Sequence, residues 1–222
     1  MDVRRGEAAG LHYLELAPEG APRELPLVVA MHGRGAAAED LGGVVAQLDD
    51  QHYRYVLFYA PRVLYMGDGI RYAWFESADM DGTLLPARRL VLGALHELWS
   101  RHGVAPRQTV LGGFSQGAVM TYDVGFHLDP RESLAGLVCM SGRLYKAADL
   151  DAALANHRDQ AVCIVHGAQD PRITLEDATT ARKVLERAGL HPEYHEFPME
   201  HEVTPDSLVV VRDFVHRVLP AR

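Results

Sequence analysis

Thr109-Val110-Leu111-Gly112-Gly113-Phe114-Ser115-Gln116-Gly117-Ala118 decides the reading of this chain. Thr109-Val110-Leu111 is an apolar run that reads as a buried strand, and Ala118 to Phe126 reads as the start of a helix. Between them stands Gly-x-Ser-x-Gly, with Ser115 at its centre. A strand that turns sharply into a helix leaves no room for Cβ atoms at 113 and 117, and glycine supplies none. Such a turn holds the serine in a strained conformation with its hydroxyl raised above the sheet. It also aims the backbone N–H of Gln116, at a helix N-terminus, at the space where an oxyanion would form.

The rest of the chain supplies a matching frame. Its 222 residues suffice for one well-buried α/β domain and are few for two, and 1–222 is read as a single domain. The formal charge of -8 argues against a phosphate backbone as partner, so no nucleic acid is expected. The N-terminus leads into no apolar signal-peptide core, and no apolar run approaches the length of a membrane span. A cytoplasmic location without stable membrane insertion is the expectation. The two cysteines, Cys139 and Cys163, each sit inside an apolar strand-like run and read as small buried hydrophobes without metal-ligand spacing.

Outward from Ser115, strands and helices alternate. His12 to Leu16 reads as a half-exposed early strand, and Leu27-Val28-Val29-Ala30-Met31 as a strand covered on both faces. The latter ends in His32-Gly33-Arg34-Gly35. Glu39 to Leu48 reads as a helix interrupted by Gly42 and Gly43, and Tyr55 to Tyr59 as the next strand. Arg62 to Asp81 is read as a long connection with Tyr72-Ala73-Trp74-Phe75 as its apolar centre, and long connections are often functional. Apolar residues at 84, 87, 91, 94, 95 and 98 predict a one-striped helix from Leu84 to Trp99. Later strands are expected at Leu134–Met140, Ala161–Val165 and Glu193–Phe197, and helices at Leu150–Ala155, Thr174–Ala188 and after Leu208. This order predicts a mostly parallel central sheet with helices on both faces.

In such a sheet the reactive residues gather beyond the carboxyl ends of the strands. His32-Gly33-Arg34-Gly35, Ser115, Asp170 and His201 fall there. A serine hydroxyl needs a base within hydrogen-bond reach, and the base needs an anion to fix its tautomer. Of twelve histidines, only His201 lies in a loop between the last strand and the last helix. His166 lies at its strand end, where local packing or bonding is the simpler role. Ser115, Asp170 and His201 follow the Ser…Asp…His order that suits this topology.

At this point the chain resembles the carboxylesterase/phospholipase branch of the α/β-hydrolases, which includes acyl-protein thioesterases and small bacterial esterases. The resemblance rests on His32-Gly33-Arg34-Gly35, Trp74-Phe75, Gly113-Phe114-Ser115-Gln116-Gly117-Ala118, Ser141-Gly142, His166-Gly167-Ala168-Gln169-Asp170 and Pro198-Met199-Glu200-His201-Glu202-Val203. It implies Ser115 as nucleophile, His201 as general base and acid, and Asp170 as its orienting partner. It further implies an oxyanion hole from the backbone N–H groups of Arg34 and Gln116, with no metal or organic cofactor. Dimers in that family make a homodimer a further expectation. Arg34 stands where the eukaryotic thioesterases often carry an apolar residue, and its side chain is expected to point to solvent. Tyr65, Met66, Trp74 and Phe75 are candidates for the wall of an acyl groove, although such an aromatic cluster equally suits ordinary core.

The activity expected is two-step acyl transfer on a carboxylic ester, thioester or lysophospholipid. No long insertion separates 134–140 from 161–165, so no large cap domain is expected. Two other readings stay open. A dienelactone-hydrolase-like enzyme would share the topology but typically uses cysteine where Ser115 stands. A catalytically silent binding protein would be expected to lack a triad member or an elbow glycine, and none is missing.

Overall fold

The structure, a computed structural model, describes residues 1–48, 51–67, 69–146 and 150–220. Ten strands are described: β1 (Asp2–Ala8), β2 (Leu11–Ala17), β3 (Leu27–Met31), β4 (Arg54–Phe58), β5 (Arg62–Met66), β6 (Gly69–Ala73), β7 (Thr109–Phe114), β8 (Gly136–Met140), β9 (Val162–Gly167) and β10 (Glu193–Phe197). Six α-helices accompany them: α1 (Gly42–Val45), α2 (Met80–His102), α3 (Gln116–Gly125), α4 (Asp151–Ala155), α5 (Leu175–Arg187) and α6 (Pro205–Val218).

Eight strands form one sheet in the order β1-β2-β4-β3-β7-β8-β9-β10. The strands from β4 to β10 in that order are parallel, and β1 and β2 add an antiparallel edge. The two sheet faces bury alternate residues of each strand, as the pleat requires. In β4, Val56 and Phe58 pack on the side of α2, α3 and α5, and Tyr55 and Leu57 on the side of α1 and α6. Cys139 and Cys163, both buried and free, face these opposite layers.

The apolar stripe of α2 reads directly into packing. All six of its expected positions, Leu84, Ala87, Val91, Ala94, Leu95 and Leu98, are buried. Each of the larger ones stabilises the docked helix by about 1.5–3 kcal/mol. The helix starts four residues earlier than its stripe, because the Asp79 carboxylate caps it by accepting from Gly82 N–H at 3.0 Å. It ends at Gly103, whose left-handed backbone (φ 66°) suits glycine. In α5, Thr174 and Asp177 form a reciprocal capping box, and Ala178, Ala181, Val184 and Leu185 are buried.

Three elements differ from the sequence expectation. β1 is an additional strand, exposed along most of its length at the sheet edge, so no apolar alternation marks it. The helix expected over Glu39–Leu48 shortens to a tight 3-10 turn at Ala38–Leu41 followed by the single turn of α1. The long connection after Pro61 contains a β-hairpin: β5 and β6 pair antiparallel as a separate two-stranded ribbon. Its residues Val63, Tyr65, Met66 and Ile70 are exposed, so the usual buried-face signal is absent. The Gly67-Asp68-Gly69 between the strands is itself a turn signal. No cap domain covers the carboxyl edge of the sheet, where β3, β7, β9 and β10 deliver their loops.

Candidate active site

Ser115 lies between β7 and α3 with φ 57° and ψ -118°, a backbone region that L-residues rarely occupy. The strain is imposed by packing. A Cβ at Gly113 would lie 2.2 Å from the Gly117 carbonyl carbon, and one at Gly117 would lie 2.0 Å from the Met31 carbonyl oxygen. Strand, turn and helix therefore approach closer than any side chain allows, and β3 lies directly behind the turn. Gly117→Ala is expected to destabilise the fold by about 3 kcal/mol or more, since it presses a methyl group into backbone that cannot rotate away. Urea unfolding of the variant against the parent measures this.

The Ser115 hydroxyl lies 2.9 Å from His201 Nε2, and His201 Nδ1 lies 2.6 Å from Asp170 Oδ2. With Asp170 ionised, Nδ1–H donates to it, which leaves Nε2 free to accept from Ser115. Asp170 hangs just past β9 and His201 just past β10, so the parallel pairing of these strands brings residues 31 positions apart into contact. The other carboxylate oxygen of Asp170 accepts from the N–H groups of Arg172 at 2.8 Å and Ile173 at 3.0 Å. Burial by itself would raise the Asp170 pKa. The hydrogen bonds from His201, Ile173 and Arg172 outweigh it and hold the carboxyl below its ordinary range. His166 Nε2–H donates to Ile173 C=O at 2.8 Å, which pins the loop carrying those two N–H groups. This is the local role the sequence assigned to it. Phe114 packs its ring on His201 at 4.8 Å between centroids and limits the imidazole's freedom.

The second loop at the site is His32-Gly33-Arg34-Gly35. Gly33 packs against the nucleophile turn, its notional Cβ only 3.2 Å from the Ser115 Cβ. Arg34 follows with its side chain exposed, as expected. Among the described residues, the backbone N–H groups of Arg34 and Gln116 donate to no protein acceptor. Gln116 opens α3, where the first-turn N–H groups have no partner within the helix.

The expected pocket residues divide. Tyr65 and Met66 lie on the exposed hairpin, with Met66 Sδ 3.5 Å from the notional Cβ of Gly35. Trp74 and Phe75 line no groove: they are 0% and 3% exposed and belong to the core beneath α2. The segment after β6 runs under the site, so its large side chains point into the protein. Trp74 instead works through hydrogen bonds, its indole N–H donating to His32 C=O at 2.9 Å. The Gln116 side chain is a further participant that the motif did not disclose. Its carbonyl accepts from Trp74 N–H at 3.0 Å and its amide donates to Phe75 C=O at 3.0 Å.

A half-buried serine backed by an imidazole and a buried carboxylate, beside two uncommitted N–H donors, can attack a carbonyl and hold the resulting oxyanion. The comparisons with known proteins agree with this chemistry. Residues 16–219 match the model of the phospholipase/carboxylesterase family. The chain is 24% identical to acyl-protein thioesterase 1 of Gibberella zeae, over 91% of this chain and 94% of that one. It is 26% identical to acyl-protein thioesterase 1 of Neurospora crassa, over 89% of each. Among solved structures, esterase PE8 superposes with a TM-score of 0.82 at 25% identity, covering 99% of this chain and 100% of the other. The Bacillus cereus carboxylesterase shares the fold at 17% identity, with a TM-score of 0.77 over 94% of each chain. With an α/β-hydrolase sheet and a match over nearly its full length, the chain belongs to the phospholipase/carboxylesterase family and is an ester hydrolase.

Proposed function

We propose that Ser115, His201 and Asp170 form the catalytic triad of a serine esterase that works through an acyl-enzyme. The observation that carries this reading is the continuous relay from the Ser115 hydroxyl through His201 to Asp170, at 2.9 Å and 2.6 Å. His201 takes the Ser115 proton as the hydroxyl attacks the ester or thioester carbonyl. The N–H groups of Arg34 and Gln116 receive the oxyanion, each donor worth on the order of 3 kcal/mol of barrier. His201 then protonates the leaving alcohol or thiol, activates a water, and the acid departs. Residues 1–222 act as one domain, since a single sheet draws strands from Asp2 to Phe197.

The open carboxyl edge favours small or extended esters. Trp74 and Phe75 offer no acyl groove, and the hairpin side chains Tyr65 and Met66 stand in solvent at 87% and 46% exposure. We therefore expect short-chain p-nitrophenyl esters, acetyl to hexanoyl, to give the highest kcat/KM across a series to palmitoyl. A maximum at palmitoyl would instead assign the exposed hairpin to a long acyl chain and point to acyl-thioesters and lysophospholipids. Fluorophosphonate labelling that requires Ser115 supports the triad; a folded protein that resists the label contradicts it.

A further inference from the structure

The two proposed oxyanion donors belong to different elements: Arg34 follows β3, and Gln116 opens α3. For both N–H groups to reach one oxygen, the spacing between loop and helix must be fixed to a few tenths of an ångström. A third segment, residues 72–75, joins the two.

On the loop side, Gly35 N–H donates to Tyr72 C=O at 2.8 Å and Tyr72 N–H donates to Ala36 C=O at 3.0 Å. The Trp74 indole N–H donates to His32 C=O at 2.9 Å. The His32 ring is buried and neutral in its bonding: Ala60 N–H donates to Nε2 at 3.1 Å, so Nδ1–H donates to Gly33 C=O at 2.7 Å. Burial first of all lowers the His32 pKa, consistent with that state. On the helix side, among the described residues, the hydrogen bonds come from the Gln116 side chain. Its carbonyl accepts from Trp74 N–H and its amide donates to Phe75 C=O, so one side chain holds two successive residues of that segment. Gln116 is 7% exposed, so these two bonds satisfy a buried amide that has no water to turn to.

We propose that the Gln116 side chain is a positioning residue: it clamps residues 72–75 to α3 and so sets the distance between the Arg34 and Gln116 N–H donors. One residue thus contributes twice, its backbone N–H to the oxyanion and its side chain to the placement of the opposite donor. This inference rests on the proposed Ser115 chemistry. It accounts for two features left over by that chemistry, a buried glutamine beside the nucleophile and a buried Trp74 that meets no substrate.

The test is Gln116→Met, which keeps the length of the side chain and removes both hydrogen bonds, with Trp74→Phe as a second variant that cuts the link to His32. Each is assayed on a p-nitrophenyl oxyester and on the matching thionoester. Sulfur is larger and a weak acceptor, so its anion draws little from a pair of N–H donors. A misplaced donor should lower kcat on the oxyester about 30-fold, with KM changing less than threefold. The thionoester rate should fall less than about fivefold, because it depends less on that geometry. Equal falls on both substrates, or an unchanged oxyester kcat, overturn the clamp and leave Gln116 as core packing. If Gln116→Met does not fold, Trp74→Phe decides by the same two rates. Ser115→Ala separates the underlying reading: hydrolysis by the parent that survives this change overturns the Ser115 chemistry and the clamp together.

Discussion

Ser115→Ala is expected to remove ester hydrolysis, lowering kcat by a factor on the order of 10⁴ to 10⁶, and to leave the fold standing. The relay from Asp170 through His201 ends at the Ser115 hydroxyl oxygen. The Ser115 side chain makes one described bond, to His201, and the turn is held by backbone: Ser115 N–H donates to Met140 C=O at 3.0 Å, and Ser115 C=O accepts from Ala118 and Val119 N–H. Alanine suffers the same strain at φ 57° as serine does. Thermal unfolding within a few degrees of the parent, together with activity at the background rate, is the expected result. Full activity in the variant would remove Ser115 from the mechanism.

Asp170→Asn is expected to lower kcat about 10⁴-fold, the scale seen when the acid of such a relay becomes an amide. The hydrogen bonds at Asp170 say why. One carboxylate oxygen accepts from Arg172 and Ile173 N–H, so the asparagine carbonyl takes that place. The amide NH₂ then faces His201 Nδ1 and makes it an acceptor. The imidazole proton moves to Nε2, the nitrogen that receives the Ser115 proton in the proposed chemistry. Acylation and deacylation should both slow by that factor, while binding of the ester changes little. Single-turnover kinetics with an activated ester should show the loss in acylation itself.

The same substitution carries a pH signature. The hydrogen bonds to Asp170 depress its folded pKa below the ordinary 3.8, so the unfolded chain binds the proton more tightly. Stability then rises with pH across this range. The contribution is present in full above about pH 5 and is lost as pH falls through the folded pKa. Urea unfolding of parent and Asp170→Asn should therefore differ most near neutrality and converge as pH drops below 4. A difference that stays constant from pH 7 to pH 3 would show that the carboxylate charge adds nothing to folding.

How far these expectations were legible differs from residue to residue. Leu27–Met31 and Glu193–Phe197 read as strands and are β3 and β10 residue for residue, because each is a bounded run between glycine or proline signals. The stripe at Leu84 to Leu98 gave six of the nine buried positions of α2 and missed Met80, Trp99 and His102, since helical periodicity records burial directly in its middle turns and less well at its ends. The hairpin at Arg62–Ala73 was read as loop because that signal requires one buried face, and the ribbon has Val63, Tyr65 and Ile70 in solvent. Trp74 and Phe75 suit groove wall and ordinary core equally by sequence, and the structure places them in the core. Composition marks an aromatic as valuable to bury, and it does not say whether a ligand or the core will cover it.

Sequence by itself therefore determined the alternation of the central strands and helices, the mostly parallel sheet, and the strand ends after which Ser115, Asp170 and His201 lie. Those properties follow from local patterns: periodicity, turn glycines and chain order. Tertiary structure alone decided the 2.6 Å and 2.9 Å contacts among those three, the burial of Trp74, and the hold of Gln116 on residues 74 and 75. These join segments 31, 41, 42 and 86 positions apart, and no local pattern carries such distances. They exist because adjacent parallel strands bring their carboxyl ends to one edge, where packing, and not propensity, sets which polar groups meet.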